Sequence, residues 1–230
     1  MTMNPESVSP PNLLRKLPRE FTGRLAGERT VTLAKGETLF ERGDAGDGCY
    51  WLRSGVVTVC ATSATGEQRI LAILGPGAMI GELAMIDGLP RSATVQAVRD
   101  CSLTFISRAA FMNVLRQHPE LHMEITATLA ARLRQSDDDM IASSFLTVRA
   151  RVARALLQFA RLLGEETERG RVLIQHRVTQ SDLAAMAGVA RESVNRTLGI
   201  WQKEEILGGS ARDGYVVDKR RLEREAEAVE

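Results

Sequence analysis

The sequence predicts an α+β protein with an N-terminal β-roll (jelly-roll-like), one long helix and a C-terminal winged helix-turn-helix. Three observations carry that expectation. Between residues 30 and 108 short apolar runs alternate with glycine; from Ala109 to Ser144 glycine vanishes; and residues 178–207 read as helix, tight turn, helix.

In the first region VTL, CYWLR, VVTVC and RILAIL are β-branched or aromatic runs of strand length. Gly36, Gly43, Gly48, Gly55, Gly66, Gly75 and Gly77 fall between or beside them, at places where turns call for positive φ. Strand and turn at this spacing predict a compact antiparallel barrel or roll. A doubly wound sheet or a β/α barrel would need interleaved helices, and this stretch offers none.

Pro119 stands where a helix can begin. Beyond it Ile125, Leu129, Leu133, Ser136, Met140 and Ser143 step by three or four, close to a coiled-coil seam with polar interruptions. The expected helix, Pro119 to Ser144, is roughly 40 Å long. Its seam fits a two-stranded homodimer better than packing on its own roll. A second helical region follows, with Val148, Val152, Leu156 and Ala160 on one face and Ala155, Phe159 and Leu163 beside it. Phe145-Leu146-Thr147 is the expected hinge. The organisation read from this is an arm at 1–22, a roll at 23–116, a dimerisation helix at 117–145 and a DNA-binding domain at 146–230.

VTQSDLAAMAGVARESVNRTLGIWQKEEIL spans residues 178 to 207. Thr179 and Asp182 make a near capping box. Ala184 is small where two helices must approach, Gly188 supplies the left-handed turn residue, and Val194 is apolar where the second helix packs back. The exposed face of that helix carries Arg191, Glu192, Ser193, Asn195 and Arg196 at the end which, in this motif, enters the major groove. Arg pairs with guanine O6 and N7, and Glu accepts from cytosine N4. ILGGSARDGYVVDK then predicts a glycine-turned hairpin, a wing.

Composition limits the alternatives. The chain has 230 residues, 44% hydrophobic and 26% charged, an ordinary globular balance. Net charge is +1, and from Leu146 to Glu230 there are 15 Arg plus Lys against 13 Asp plus Glu, so no bulk cationic field marks a DNA binder. No run of about 18 apolar residues exists to span a membrane. The start, MTMNPESVSPPNLLRKLPREF, lacks the order of a secretory signal. Cys49, Cys60 and Cys101 form no metal-ligand spacing, and reduced thiols of a cytoplasmic protein are expected. Among the histidines, His118 and His122 at i, i+4 on one helix find no third metal ligand nearby, and His176 is remote. A hydrolytic enzyme such as a phosphodiesterase would want such a cluster; no metal and no catalytic residue is expected.

One stretch of the roll is out of keeping with strands and turns: GELAMIDGLPRSATVQA, residues 81–97. A cyclic nucleotide offers one phosphodiester charge, a ribose hydroxyl and a base. Gly81 permits close approach to an anion at a short helical turn. Glu82 can accept from the ribose hydroxyl, Arg91 can clamp the phosphate as a charge-assisted bidentate partner, and Ser92 can add a hydroxyl or amide. Singly, each has a bland alternative, the plainest being a surface Glu82–Arg91 pair. Together they point to a phosphate.

GELAMIDGLPRSATVQA resembles the phosphate-binding cassette of cyclic-nucleotide-binding domains. With ARESVNR it resembles the Crp/Fnr transcription regulators, and among them the cyclic-AMP receptors, over about Leu33 to Val217. The resemblance implies Gly81, Glu82, Leu83, Arg91, Ser92 and Ala93 in the nucleotide pocket, with Arg132, Ser136 and Asp137 from the long helix. It implies Arg191, Glu192 and Arg196 as base readers of TGTGA-like half-sites in double-stranded DNA, accompanied by Thr179, Gln180, Ser181, Ser193 and Asn195. Family cyclic-AMP receptors place Thr-Ser against the adenine where this chain has Ser136-Asp137, so cyclic AMP is the first expectation and cyclic GMP the second. Ala190 replaces the usual capping serine of the recognition helix. No N-terminal cysteine cluster resembles the iron–sulfur branch.

The function implied is a homodimeric, cyclic-nucleotide-responsive transcription regulator with RNA polymerase as a further partner. Two alternatives remain at this level: a ligand-independent regulator of the same family, and a nucleotide-gated module acting on a partner protein.

Overall fold

The computed structural model describes residues 29–167, 170–175 and 178–229; the expected N-terminal arm, the first residues of the roll and His176 lie outside them. Contacts divide the chain into two compact units, one made of residues up to Cys60 with Leu74–Asp138, the other of Ala61–Ile73 with Asp139–Glu230.

The first unit is built on a six-stranded sheet. Its strands are β1 (Arg29–Leu33), β2 (Thr38–Phe40), β3 (Gly48–Thr62), β4 (Gln68–Leu74), β5 (Met79–Ile80) and β6 (Thr94–Ser107), the last two residues of β3 and all of β4 but Leu74 being counted with the second unit. The order is β1-β6-β3-β4, with β2 on β6 and β5 on β3. CYWLR and VVTVC are not two strands separated by a turn. They form one 15-residue strand, and Gly55 (φ 97°) sits at an interruption of its register against β6. A Cβ at Gly55 would run into Cys101 and the Asp100 carbonyl, so a bulge closes there where a turn was expected. Gly48, also expected in a turn, opens β3.

Helix α1 (Leu83–Asp87) interrupts the strands, and α2 (Arg108–Gln117) follows them. A cluster of Cys49, Met79, Ala84, Met85, Ile106, Phe111, Val114, Leu115 and Leu121 joins α1, α2 and the start of the next helix to β3, β5 and β6. That apolar base anchors the 81–97 stretch.

The long helix α3 runs Glu120–Phe145. Ile125 packs against the roll core, so the first turns of the expected seam face their own domain. Farther along, Leu133 and Met140 are 65% and 66% exposed, with Ile141 and Phe145 also open. Apolar side chains so exposed at helical spacing are an unpartnered face. His118 caps α2 and His122 lies in α3, so the two do not share a helix as expected. Pro119 separates them: His118 Nδ1 meets Glu120 Oε1 at 3.2 Å and His122 Nδ1 meets the Pro119 carbonyl at 3.1 Å. Among the described residues no group of three His, Cys, Asp or Glu is placed to hold a metal.

In the second unit Thr147 caps α4 (Val148–Leu163), its hydroxyl accepting from the Ala150 amide. The expected apolar face is buried through Val152, Ala155, Leu156, Phe159, Ala160 and Leu163. Strands β7 (Gly164–Glu166) and β8 (Arg171–Ile174) precede α5 (Gln180–Ala187) and α6 (Arg191–Lys203). Then come β9 (Leu207–Ser210), β10 (Gly214–Asp218) and α7 (Lys219–Glu225). The wing hairpin is the β9–β10 half of a four-stranded sheet ordered β7-β8-β10-β9. Sequence patterning anticipated neither β7, β8 nor α7.

Candidate functional site

Seven of the nine residues expected to hold a ligand line one open pocket in the first unit: Gly81, Glu82, Leu83, Arg91, Ser92, Ala93 and Arg132. Its empty space, counted out to the open mouth and so including solvent, is about 410 Å³. Phe40, Val59, Leu74, Met79, Ile80 and Val95 supply an apolar wall. Pattern reading missed these because alternation in a strand marks a core side without saying that part of it stays hollow.

Arg91 is 4% exposed. Its Nη1 donates to the Gly81 carbonyl at 2.9 Å and its Nη2 to the Gly48 carbonyl at 2.7 Å. The guanidinium lies 4.3 Å from the centre of the Phe40 ring, a cation–π contact. Gly81, at φ 79°, has no room for a Cβ because Arg91 occupies that space. Among the described residues the carboxylate that Arg91 meets is that of exposed Asp47, at 3.6 Å, and Nε is buried with no hydrogen-bond partner there. A buried guanidinium held mainly by neutral carbonyls is under-compensated. An anion in the adjoining cavity would balance it.

Among the described residues Glu82 is the other buried charge, 3% exposed. It does not pair with Arg91. Its Oε1 accepts from Arg132 Nη1 of α3, and Arg132 Nη2 donates to the Met79 carbonyl at 3.0 Å. Glu82 stands at the N-cap of α1, yet its side chain makes no capping bond and is left for the pocket. Gly88 closes α1 in the left-handed conformation. Ser136 and Asp137 are exposed on α3 outside the pocket lining; Ser136 is one turn past Arg132, on the same side of the helix.

In the second unit the capping box is complete: Asp182 N donates to Thr179 Oγ1 at 3.1 Å, and Thr179 N to Asp182 Oδ2 at 2.7 Å. The Thr179 hydroxyl also donates to Asp182 Oδ2, so it is committed to the helix start. Gly188 (φ 63°) ends α5, its amide bonded to the Ala184 carbonyl at 2.8 Å. Ala190 then caps α6 without a side-chain bond, as its lack of a hydroxyl dictates.

Val194, Thr197, Leu198 and Trp201 bury one side of α6. Arg191, Glu192, Asn195 and Arg196 are exposed on the other, with Ser193 half-buried; Ser181 is exposed on α5. Gln180 Nε2 donates to Asn195 Oδ1 at 3.1 Å and ties the two helices together. Two arginines and a glutamate on the leading turns of a helix supported this way match the donor and acceptor pattern of base edges in a major groove.

Comparison with known proteins agrees with both halves. Residues 30–118 match the cyclic nucleotide-binding domain and residues 150–225 the Crp-like helix-turn-helix domain. The CRP-like cAMP-activated global transcriptional regulator of Mycobacterium tuberculosis is 30% identical over 85% of this chain and 87% of its own length. The cyclic AMP receptor protein of Thermus thermophilus is 36% identical over 75% of this chain and 76% of its own. A solved Crp/Fnr-family transcriptional regulator of Thermus thermophilus superposes with a TM-score of 0.74 at 25% identity, covering 87% of this chain and 99% of that one. With the nucleotide-type pocket in one unit and the helix-turn-helix in the other, the chain belongs to the Crp/Fnr family of cyclic-nucleotide-binding, DNA-binding transcription regulators.

Proposed function

We propose that the effector is cyclic AMP and that the protein acts as a homodimer on a palindromic operator with TGTGA-like half-sites. The observation that carries the effector reading is the buried, under-compensated Arg91 beside the cavity. Its free Nε–H and guanidinium charge receive the cyclic phosphate, while the second Glu82 oxygen accepts from the ribose 2′-hydroxyl. Ser92 and the backbone at Gly81 supply further polar contacts. Ser136 and Asp137 lie outward on α3, so a second copy presenting its α3 would bring them to the base. The exposed Leu133, Met140 and Phe145 are the apolar seam for that copy.

Nucleotide acts by population shift, through its differential affinity for two arrangements of the DNA-binding units. In the favoured one the recognition helices stand about 34 Å apart, one turn of DNA. Moving a 1:99 equilibrium to 99:1 takes about 10⁴-fold preference, roughly 5.5 kcal/mol. Arg191, Glu192 and Arg196 read bases, Gln180 and Ser181 hold phosphates, and RNA polymerase is the further partner. The protein is a cytoplasmic regulator and not an enzyme; no described helix is long and apolar enough to cross a membrane.

Operator binding with no ligand, with cyclic AMP and with cyclic GMP, at one salt concentration, tests the reading. Tightening by cyclic AMP beyond that by cyclic GMP supports it. Equal affinity in all three arms identifies a ligand-independent regulator.

A further inference from the structure

The C-terminal segment makes contacts that pocket and recognition face do not account for. Helix α7 is anchored by fully buried Leu222 and ends at Glu225. One oxygen of Glu225, Oε2, accepts from Arg149 Nε at 2.9 Å and from the Trp201 indole N–H at 3.1 Å, with Arg149 Nη2 2.8 Å away as an ion-pair contact. Arg149 is on the first turn of α4, immediately past the 145–147 segment expected from the sequence to be a hinge; Trp201, wholly buried, is on α6. Arg149 Nη2 also reaches Glu204 at the end of α6, at 3.1 Å. Past α7 the chain turns back to the hinge. Val229 forms an antiparallel bridge with Leu146, and the Thr147 amide donates to the Ala228 carbonyl at 3.4 Å.

One short segment therefore grips the hinge backbone at 146–147, the first turn of α4 and the recognition helix together. A helix needed only to cover the core would require Leu222 and nothing at the hinge. We propose that residues 219–229 are a positioning clamp that holds the recognition helix in fixed relation to the hinge, with Glu225 as its positioning residue. Because charge-assisted bonds to one carboxylate are strong and directional, loss of Glu225 lets α6 move against α4 without opening the core. The clamp rests on the proposed function for the operator on which it is read and for its link to nucleotide; its effect on operator affinity does not depend on the effector.

The test compares the full chain with Glu225→Gln, Arg149→Met, the double variant, and a chain ending at Glu225, which keeps α7 and loses the hinge bridge. Thermal unfolding and cyclic AMP calorimetry report fold and pocket, and operator affinity is measured with and without cyclic AMP. For Glu225→Gln we expect a nucleotide isotherm within twofold of the full chain and at least a fivefold loss of operator affinity. The double variant should lose less than the sum of the two single losses, because both break the Arg149–Glu225 contact, while Arg149→Met alone also gives up Glu204. The shortened chain should change the ratio of operator affinities with and without cyclic AMP at least threefold. Operator affinity of Glu225→Gln within twofold of the full chain, or an unchanged ratio in the shortened chain, overturns the clamp. If the full chain itself ignores cyclic AMP, the nucleotide reading fails alone. The clamp then stands or falls on the same fivefold criterion applied without ligand.

Discussion

Glu82 and Arg132, 50 residues apart in sequence, form an ion pair that joins the cassette turn to the long helix: the Glu82 side chain is 4% exposed and the Arg132 side chain 33%. Breaking such a pair from the exposed side strands the buried charge. We expect Arg132→Met to cost about 1–2 kcal/mol, since partial exposure of the arginine reduces the penalty. Glu82→Gln/Arg132→Met should recover at least half of that, because no unpaired carboxylate remains. Urea unfolding of these two variants and of Glu82→Gln alone measures the coupling; additive losses would show that the pair contributes nothing as a pair.

Arg91 is tied to two backbone carbonyls as well as to the cavity, so removing it has two effects. Arg91→Leu should lower cyclic nucleotide affinity more than tenfold and also lower stability, because the Gly81 and Gly48 carbonyls lose their donors. Arg91→Lys keeps a charge but cannot hold two carbonyls and a phosphate from one planar fork. It should bind nucleotide at least tenfold more weakly with the smaller loss of stability. Calorimetry decides the matter: an unchanged isotherm for either variant removes Arg91 from the site.

The Cys49 thiol lies behind the pocket, and burial first, then the Glu82 charge, pushes its pKa up to about 12. The unfolded thiol ionises near 8.5. Between those values the unfolded chain loses a proton that the folded chain keeps, so this group's contribution to stability is complete below about pH 8.5 and declines as pH rises towards 12. Chemical unfolding at pH 7, 9 and 10 should show a steeper decline for the parent than for Cys49→Ala. Equal slopes would mean that the thiol titrates alike in both states.

Much of this was legible from residue types, and the exceptions have physical reasons. β-branched runs and glycine punctuation pointed to a roll, but Gly55 looks the same whether it closes a turn or a bulge. Gly-Glu-Glu in β7 has no strand propensity and exists by pairing with β8. Helix α7, KRRLERE, carries a single apolar residue, Leu222, and so shows no period. In the pocket, charged and glycine positions announced themselves through their chemistry. Phe40, stacked on Arg91, did not, since a lone aromatic in a three-residue strand reads as core. That Glu82 would meet Arg132 and not Arg91 depends on where α3 passes the cassette, which is tertiary information.

Arg196 projects from α6 beside Asn195, and both are exposed. If Arg196 reads a guanine, Arg196→Ala relaxes preference at one base pair by about 1–3 kcal/mol and leaves other positions alone. A binding selection on a randomised half-site gives the answer. Equal weakening on every sequence would reassign Arg196 to the phosphate backbone.

Ala190 offers the sharpest stability test, because its backbone is already that of a cap: φ −64°, ψ 145°, outside the helix that it starts. The Ser193 and Val194 amides reach the Ala190 carbonyl at 3.0 and 3.2 Å, but no side-chain acceptor is present there. A serine adopts the same dihedrals and adds one acceptor, where the first amides of a helix lack partners. Ala190→Ser should therefore stabilise the DNA-binding unit by about 1 kcal/mol. The hydroxyl also stands at the leading end of the recognition helix, so operator affinity should rise with stability, by a few-fold, through one added phosphate contact. Higher stability without tighter binding would place the cap away from the phosphates. If neither quantity moved, α6 would have to start at a residue other than Arg191.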